Sequence, residues 1–271
     1  ELFKDKNIIV VPVLKNYKLI NLLSRKNFDQ IDHGYFKLKE KNVRTVIMAG
    51  GKGTRLDPFT KVLPKPILPF GDDPIIQVIM DEFVSHGLNK FFITLQDKAK
   101  MIKAYFHDHE MGYNIKFIDE TKPLGTAGSL KLLEDELQEV FFVSNCDILI
   151  KTKYAEILSF HNKRNYAITI VGAMKQHSLP YGVCTVETDG TLKSFKEKPI
   201  FDYLVNTGFY VIDPSVVKLI PEDTYFDMTD LINSLIKNGK KIGVYPVSEK
   251  SWVDVGQWEE LNNALKDIRF N

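Results

Sequence analysis

Residues 44–56 of this chain read RTVIMAGGKGTRL, and residues 63–69 read LPKPILP. The segment from Thr45 to Met48 is apolar or β-branched, which is typical of a short strand, and it runs into a loop with three glycines in four positions. Glycines let backbone N–H groups approach an anion without obstruction by Cβ atoms. Lys52, Arg55 and Lys65 add positive charge. We therefore predict a strand followed by a phosphate-binding loop.

Two common phosphate-binding motifs do not fit this loop. A Walker loop needs Gly-x-x-x-x-Gly-Lys, whereas Gly53 is followed by Thr54. A dinucleotide fingerprint needs a third glycine at the position of Leu56. An ordinary surface turn is the remaining alternative, but such turns rarely collect three cations and four prolines. The stretch indicates a different kind of phosphate site.

Beyond this loop, segments with strand character alternate with segments of helical periodicity. The predicted strands are Thr45–Ala49, Phe91–Leu95, Ile115–Ile118, Val140–Ser144, Ala167–Met174, Val183–Glu187, Leu192–Phe195, Leu204–Ile212 and Ile242–Val247. The predicted helices are Pro74–His86, Asp97–Phe106, Tyr154–Arg164, Asp227–Asn238 and a last one from Gln257. This order predicts an α/β fold, a Rossmann-like α/β/α sandwich with a mixed, mainly parallel central sheet and a strand-rich second half.

Composition limits the classes of partner. The 271 residues include 36 Lys and Arg against 35 Asp and Glu, a formal net charge of +1, so no overall field favours nucleic acid or an anionic membrane. No apolar run approaches the roughly 20 residues that a membrane-spanning helix needs. Two cysteines, Cys146 and Cys184, are too few for a disulfide framework, and we expect buried thiols in a reducing compartment. These features favour the cytoplasm.

The loop and several later motifs resemble the signature of the sugar-1-phosphate nucleotidyltransferases, the group that contains the glucose-1-phosphate thymidylyltransferases and mannose-1-phosphate guanylyltransferases. The resemblance covers the chain from about Arg44 to its C-terminal end. Its motifs, in the family's order, are Gly50–Leu56, Pro64–Pro66, Leu124–Gly128, Asn145–Asp147, Tyr181–Gly182, Phe195–Pro199, Asn206–Gly208 and Trp252–Gly256. The resemblance implies transfer of a nucleotidyl group to a sugar 1-phosphate.

Two acidic residues suggest a metal site. Asp147 follows an apolar strand, where open α/β sheets place their ligands, and Asp254 lies in a Trp-x-Asp-x-Gly turn. Taken singly, Asp147 could be a cap and Asp254 a turn former. Similarity to the family implies that the two carboxylates meet and bind Mg²⁺ together with phosphate oxygens.

The resemblance also assigns the remaining site residues. It implies catalytic roles for Arg55, Lys65 and Lys198, with Lys198 holding the sugar phosphate. It places the nucleotide against Ala49, Gly50, Gly51, Gly53, Thr54, Gly125, Thr126 and Ala127. It places the sugar phosphate against Tyr181, Gly182, Glu197, Lys198, Asn206 and Thr207. Without the resemblance, the charges from Lys196 to Lys198 would be interpreted as a solvated surface run.

The N-terminal residues suggest a separate segment. Ile8–Leu14 and Lys18–Leu23 predict a hairpin, and this pattern resembles the closing strands of a CBS module. We expect residues 1–41 to be a remnant of such a module and residues 42–271 to form the nucleotidyltransferase domain. Because residue 1 is Glu rather than Met, we expect further chain upstream, whose CBS region would bind a regulatory nucleotide.

A CBS-like hairpin ahead of this domain resembles the bacterial CBS-bearing guanylyltransferases, including the glucosamine-1-phosphate enzyme of legionaminic acid synthesis. The expected substrates are therefore GTP and glucosamine 1-phosphate, or a related hexose 1-phosphate, for surface-glycan (nonulosonic acid) synthesis. The alternatives are a mannose- or heptose-1-phosphate guanylyltransferase and a glucose-1-phosphate thymidylyl- or uridylyltransferase. A subunit that senses an NDP-sugar without turnover is the alternative of another class. The sequence is compatible with a homo-oligomer and does not determine the oligomeric state.

Overall fold

The computed structural model describes residues 10–15, 18–24, 42–108 and 112–256, the first two ranges as backbone only. The hairpin predicted near the N-terminus is present as two antiparallel strands, Val10–Lys15 (β1) and Lys18–Ser24 (β2). The assignment of residues 1–41 to a CBS module stays a prediction. The helix predicted from Gln257 falls outside the described residues.

Seven strands form the central sheet: Thr45–Met48 (β3), Lys90–Leu95 (β6), Asn114–Asp119 (β7), Phe141–Asn145 (β8), Ile168–Ser178 (β10), Ile200–Ile212 (β13) and Ile242–Ser248 (β14). Three small two-stranded sheets surround it: Pro69–Phe70 (β4) with Asp73–Pro74 (β5), Ile148–Ile150 (β9) with Trp252–Asp254 (β15), and Val183–Val186 (β11) with Leu192–Lys196 (β12).

The α-helices are Phe59–Val62 (α1), Ile75–Ser85 (α2), Ala99–Asp108 (α3), Gly125–Gly128 (α4), Tyr154–Arg164 (α5) and Met228–Lys237 (α6). Short 3₁₀ helices cover Thr54–Leu56, Lys65–Ile67, Ser129–Leu133, Pro214–Leu219 and Glu249–Ser251. None of the helices in the described part of the chain combines the length and the apolar character needed to cross a bilayer.

The central sheet has the order β14-β10-β13-β8-β3-β6-β7. The pairs β8–β3, β3–β6, β6–β7 and β10–β14 are parallel, whereas β13 is antiparallel to both of its neighbours, β10 and β8. Six strands therefore run one way and β13 alone runs the other way. The predicted mixed, mainly parallel sheet is confirmed.

Each face of the sheet packs against helices, which confirms the predicted α/β/α layering. Along β3 the side chains alternate: Ile47 belongs to one core cluster, and Val46 and Met48 belong to the other. The first cluster takes its apolar residues from α2 and α5, and Phe83 packs there against Phe91, Phe142, Tyr154 and Phe209. The second takes them from the 3₁₀ helix Ser129–Leu133 and from α6. This packing fixes the ends of the parallel strands.

The outer part of β10, the β11–β12 hairpin and the first part of β13 leave this core. We call residues 174–206 the arm. The register runs from Met174 opposite Leu204 to Ser178 opposite Ile200, beyond the span predicted for either strand. Every residue of β12 is exposed. Cys184 lies exposed on β11, so the expectation of two buried thiols is right for Cys146 and wrong for Cys184. Within residues 42–108 and 112–256, no helix covers Cys184, so its thiol is exposed.

Candidate active site

A cavity of about 470 Å³ opens where β3, β6, β7 and β8 reach their carboxyl ends. Ligands bind at this edge in open α/β sheets, because the loops that follow neighbouring strands converge there. Its lining residues are Met48, Gly50, Gly51, Lys52, Gly53, Thr54, Arg55, Lys65, Thr94, Gln96, Glu120, Pro123, Gly125, Thr126, Ser129, Asn145, Cys146, Asp147, Tyr225 and Asp227.

The glycine-rich loop forms one wall of this cavity. Gly53 has a φ of +68°, and a Cβ atom there would lie 2.9 Å from Cβ of Lys65, so a larger residue would meet both backbone strain and a clash. A Cβ atom at Gly50 would lie 2.7 Å from Oε1 of Glu120. Thr60 donates its hydroxyl to the carbonyl of Gly53 at 3.0 Å and so holds the loop from outside. The cations Lys52 and Arg55 are exposed beside it.

The two predicted metal ligands meet through a pairing that the sequence did not reveal. Strand β15 runs antiparallel to β9 and sets Asp254 opposite Ile148, the residue after Asp147. The N–H of Val255 donates to the carbonyl of Asp147 at 2.9 Å, and the N–H of Gly256 donates to Oδ1 of Asp254 at 2.8 Å. The backbone of Asp147 is therefore joined to the turn that carries Asp254, and the Asp254 carboxylate is held by the N–H of Gly256.

Lys65 joins this turn. Its ammonium group makes an ion pair with Oδ2 of Asp147, and the two side chains are only 13% and 14% exposed. A Cβ atom at Gly256 would clash with Oδ2 of Asp147 and would lie 2.9 Å from both Oδ1 of Asp254 and Nζ of Lys65. Gly256 thus permits two carboxylates and one ammonium group to gather around a single point.

This donor set fits a hard divalent cation. Mg²⁺ takes one or two carboxylates and completes its shell with phosphate oxygens and water. No cluster of three or more His, Cys, Asp or Glu side chains occurs among the described residues, so the two carboxylates would need a bound phosphate to complete such a shell. Burial and the charge of Asp147 raise the pKa of the Cys146 thiol to about 12. The thiol stays protonated at neutral pH and does not offer a soft thiolate ligand.

The other end of the cavity is built by the segment Leu124–Gly128 and the start of α6. Gly125 has a φ of +76°, and a Cβ atom there would lie 2.7 Å from the carbonyl oxygen of Phe226. Asp227, the N-cap of α6, accepts hydrogen bonds from the backbone N–H and the hydroxyl of Thr126 at 3.1 and 3.2 Å. These contacts fix the loop that the sequence assigned to the nucleotide.

Glu120 lies between this loop and the glycine-rich loop. Its Oε2 accepts a hydrogen bond from the N–H of Leu124 at 3.2 Å, and its Oε1 faces Gly50. Burial raises the pKa of the Glu120 carboxyl above its usual range, while the bond from Leu124 opposes that shift. Glu120 therefore presents a partly desolvated carboxyl to the cavity.

Not all residues predicted for the nucleotide line the cavity. Gly50, Gly51, Gly53, Thr54, Gly125 and Thr126 do, together with Arg55, Lys65 and Asp147. Ala49 and Ala127 are buried behind it, at 1% and 0% exposure. Their side chains are in the core, so any contact with a ligand would come through neighbouring backbone.

The residues predicted for the sugar phosphate lie outside the cavity lining. Tyr181, Gly182, Glu197 and Lys198 are all exposed on the arm. A Cβ atom at Gly182 would lie 2.9 Å from Oε2 of Glu197, so these two positions are neighbours. Lys198 has a φ of +45°, which is uncommon for a residue with a side chain. Tyr181, Gly182, Glu197 and Lys198 thus form a second, solvent-exposed cluster outside the cavity.

Asn206 and Thr207 connect this cluster to the cavity. Asn206 donates to the hydroxyl of Tyr210 at 2.8 Å and accepts from the N–H of Gly208 at 3.0 Å. A Cβ atom at Gly208 would lie 3.1 Å from Cγ of Asn145, which lines the cavity. Thr207 is buried, and its hydroxyl donates to the carbonyl of Val171 at 2.8 Å. The Thr207 side chain thus stabilises the pairing of β13 with β10 in the central sheet.

Several residues of the cavity were not predicted as site residues: Gln96, Glu120, Asn145, Tyr225 and Asp227. The first three follow or end apolar strands, which is the signal that identified Asp147, so the same rule could have found them. Tyr225 and Asp227 precede α6 and carry no such signal. The tertiary contact of Asp227 with Thr126 brings this segment to the site.

Comparisons with known proteins agree with this geometry. Residues 44–270 match the family described as "Nucleotidyl transferase". The chain is 38% identical over 189 residues to a mannose-1-phosphate guanyltransferase of Yarrowia lipolytica, covering 66% of this chain and 51% of that protein. It is 33% identical over 227 residues to a probable glucose-1-phosphate cytidylyltransferase of Bacillus subtilis, covering 75% and 87%.

The crystal structure of HddC from Yersinia pseudotuberculosis has a similar fold, with a TM-score of 0.66 at 23% identity, covering 83% of this chain and 99% of that one. The chain spans about half the length of the Yarrowia relative. The family match includes the glycine-rich loop, both carboxylates and the whole central sheet. The chain belongs to the nucleotidyl transferase family.

Proposed function

We propose that the protein transfers a nucleotidyl group from a nucleoside triphosphate to a sugar 1-phosphate and releases pyrophosphate. The observation that carries this proposal is the meeting of Asp147, Asp254 and Lys65 beside a glycine-rich loop. The cavity volume of about 470 Å³ is within the range of small-molecule sites. A reaction between two phosphates needs positive charge and a metal ion rather than a protein nucleophile; the cations of this site would supply the charge, and its two carboxylates would hold the metal.

The proposed step is an in-line displacement. An oxygen of the sugar 1-phosphate forms a bond to the α-phosphorus, and the bond from that phosphorus to the bridging oxygen of the β-phosphate breaks. The electron pair leaves with pyrophosphate. The attacking phosphate is already ionised at neutral pH, so catalysis consists mainly of holding two anions together and stabilising the charge that develops.

The position of each residue suggests its role in this reaction. Arg55 and Lys65 line the cavity beside the glycine-rich loop and would bind the triphosphate. Lys198 lies on the arm, outside the cavity, and would orient the attacking phosphate from the sugar side. Asp147 and Asp254 would hold Mg²⁺, which when bound neutralises charge on the reacting phosphates. Binding, orientation and charge stabilisation thus come from different elements of the fold.

We propose GTP as the nucleotide and glucosamine 1-phosphate, or a related hexose 1-phosphate, as the acceptor. Glu120 would accept an N–H of the base, since a carboxylate only accepts hydrogen bonds; every common base has such a donor, so this contact is compatible with guanine without selecting it. The match to a protein named mannose-1-phosphate guanyltransferase supports guanine, while the match to one named cytidylyltransferase keeps other bases as alternatives. Exposed Glu197 would accept from an amino group of the sugar.

A pyrophosphate-release assay tests class and substrate together. Each of the common nucleoside triphosphates is combined with glucosamine, glucose, mannose and heptose 1-phosphates in the presence of Mg²⁺. We expect GTP with glucosamine 1-phosphate to have the highest kcat/KM. Pyrophosphate release with another pair would overturn the proposed substrates and would still support the proposed reaction.

Binding of an NDP-sugar with no release for any pair would instead support a sensing subunit. The presence of Arg55, Lys65, Asp147, Lys198 and Asp254 together favours turnover over sensing, since a sensor has no need of a charge-stabilising set. The dependence on a nucleoside triphosphate also supports a cytoplasmic location.

A further inference from the structure

We infer that Lys65 has a second role: in the nucleotide-free protein its ammonium group competes with the divalent cation for Asp147, and the nucleotide phosphates relieve this competition. The inference rests on the proposed function, because it takes Asp147 as a metal ligand. It adds that metal and nucleotide binding are coupled through one side chain. Lys65 would then be a positioning residue for the metal as well as a phosphate contact.

The first support is the ion pair itself. Oδ2 of Asp147 is in contact with the Lys65 ammonium group, and both side chains are largely buried. An ion pair shielded from water is stronger than a surface pair, since less solvent screens the two charges. A cation that binds Oδ2 must therefore displace the ammonium group.

The second support is the way in which Lys65 is held. It starts the 3₁₀ helix Lys65–Ile67 between two buried prolines, Pro64 and Pro66, so its backbone has little freedom. Its stem packs on the glycine-rich loop, with Cβ and Cδ at 2.9 and 3.3 Å from the place of a Gly53 Cβ atom. In the proposed switch the stem keeps this packing, and only the terminal group turns from Asp147 to the cavity.

The third support is the local charge. Two carboxylates and one ammonium group gather around Gly256, which leaves an excess negative charge when Lys65 is paired. A triphosphate in the cavity offers the ammonium group a partner of higher charge. When Lys65 turns to the phosphates, the Asp147 carboxylate is released for the metal, beside that of Asp254. By linkage, each ligand then raises the affinity of the other by the same factor.

Lys52 provides a matched control. It lines the same cavity and is exposed, and it makes no ion pair within the described part of the chain. Lys52→Met and Lys65→Met each remove one positive charge from the same site. If only the overall charge mattered, both variants would raise the affinity for a cation equally.

The test is a titration with Mn²⁺, a paramagnetic substitute for Mg²⁺, followed by electron paramagnetic resonance without any turnover. It is carried out on the full chain, with and without a non-hydrolysable GTP analogue. Without nucleotide, we expect Lys65→Met to bind Mn²⁺ at least about tenfold more tightly than wild type, and Lys52→Met and Lys65→Arg to change the affinity less than about threefold. The analogue should tighten Mn²⁺ binding more in wild type than in Lys65→Met.

An unchanged Mn²⁺ affinity in folded Lys65→Met would overturn the inference, as would an equal gain in Lys52→Met. Circular dichroism and thermal unfolding show whether each variant is folded. Pyrophosphate release by wild type is measured separately, so the inference can fail while the proposed function stands. Absence of Mn²⁺ binding in every variant, with the analogue present, would overturn both the inference and the assignment of Asp147 as a metal ligand.

Discussion

The central sheet and the arm differ in how their strands are stabilised. In β6 the five residues from Phe91 to Leu95 are buried, and in β12 all five residues are exposed. The sheet is held by side-chain packing on two faces, whereas the arm is held by its backbone hydrogen bonds and cross-strand pairs. The cavity assigned to the nucleotide is therefore built on tightly packed strands, whereas the residues assigned to the sugar lie on exposed strands.

The largest expected contrast is in stability. Leu95 on β6 is 0% exposed and Leu192 on β12 is 56% exposed, so the same change to alanine tests both regions. Leu95→Ala should lower the free energy of unfolding by about 2–5 kcal/mol through lost burial and a cavity. Leu192→Ala should change it by less than about 0.5 kcal/mol. Urea unfolding measures both, and similar losses would show that the arm is packed against something in solution.

The second contrast is in catalysis. Asp147→Asn and Asp254→Asn remove the carboxylate charges around Gly256, and each should lower turnover by about a hundredfold, equivalent to ~2.7 kcal/mol, or raise the Mg²⁺ requirement. Asp202 on the arm is the matched control, since it accepts a hydrogen bond from Gln176 away from the cavity. Asp202→Asn should keep normal activity. If both site variants keep the wild-type Mg²⁺ dependence, the two acids are structural.

The third contrast is within the arm. Glu197→Gln should lower kcat/KM for glucosamine 1-phosphate at least about tenfold more than for glucose 1-phosphate, because only the amino sugar loses a charge-assisted hydrogen bond of about 1.5–3 kcal/mol. Glu187→Gln serves as control, since Glu187 pairs with Lys193 in the same hairpin. An equal loss for both sugars would mean that Glu197 contacts hydroxyl groups alone.

The smallest contrast concerns pH. His161 is buried on α5, and burial lowers its pKa below the usual 6.5, against the opposing charge of Asp213. The unfolded chain therefore takes up the proton first, so stability should fall as pH drops below about 6.5, by at most about 1.4 kcal/mol per pH unit. His161→Gln should reduce this slope, and His177→Gln, on the exposed arm, should not. Thermal unfolding between pH 5 and 7.5 measures the slopes.

The local elements were largely predictable. Helix α5 has the predicted bounds, β6 and β14 differ from the predictions by one residue at one end, and α2 is shorter than predicted by one residue at each end. Their signals are local: apolar periodicity, a cap or a glycine that ends a helix. The lengths of β10 and β13 were underestimated, because their outer residues pair with each other without a buried face to give a hydrophobic pattern.

The site was predictable as a set of residues and not as an arrangement. The glycine-rich loop and Asp147 follow strands, so the sequence alone was enough to place them at the carboxyl edge of the sheet. Asp254 is more than a hundred residues further along the chain, and the β9–β15 pair that brings it to Asp147 consists of two three-residue strands. Strands this short leave no periodicity to detect.

What the sequence by itself determined is the strand–loop–helix order, the family and the chemical groups available for phosphate and metal. What only the tertiary structure decided is which of these groups meet: Lys65 with Asp147, Asp227 with Thr126, and both carboxylates around Gly256. The physical reason is that local propensity acts within a few residues, whereas contacts between distant segments depend on strand order and on the packing of the whole sheet.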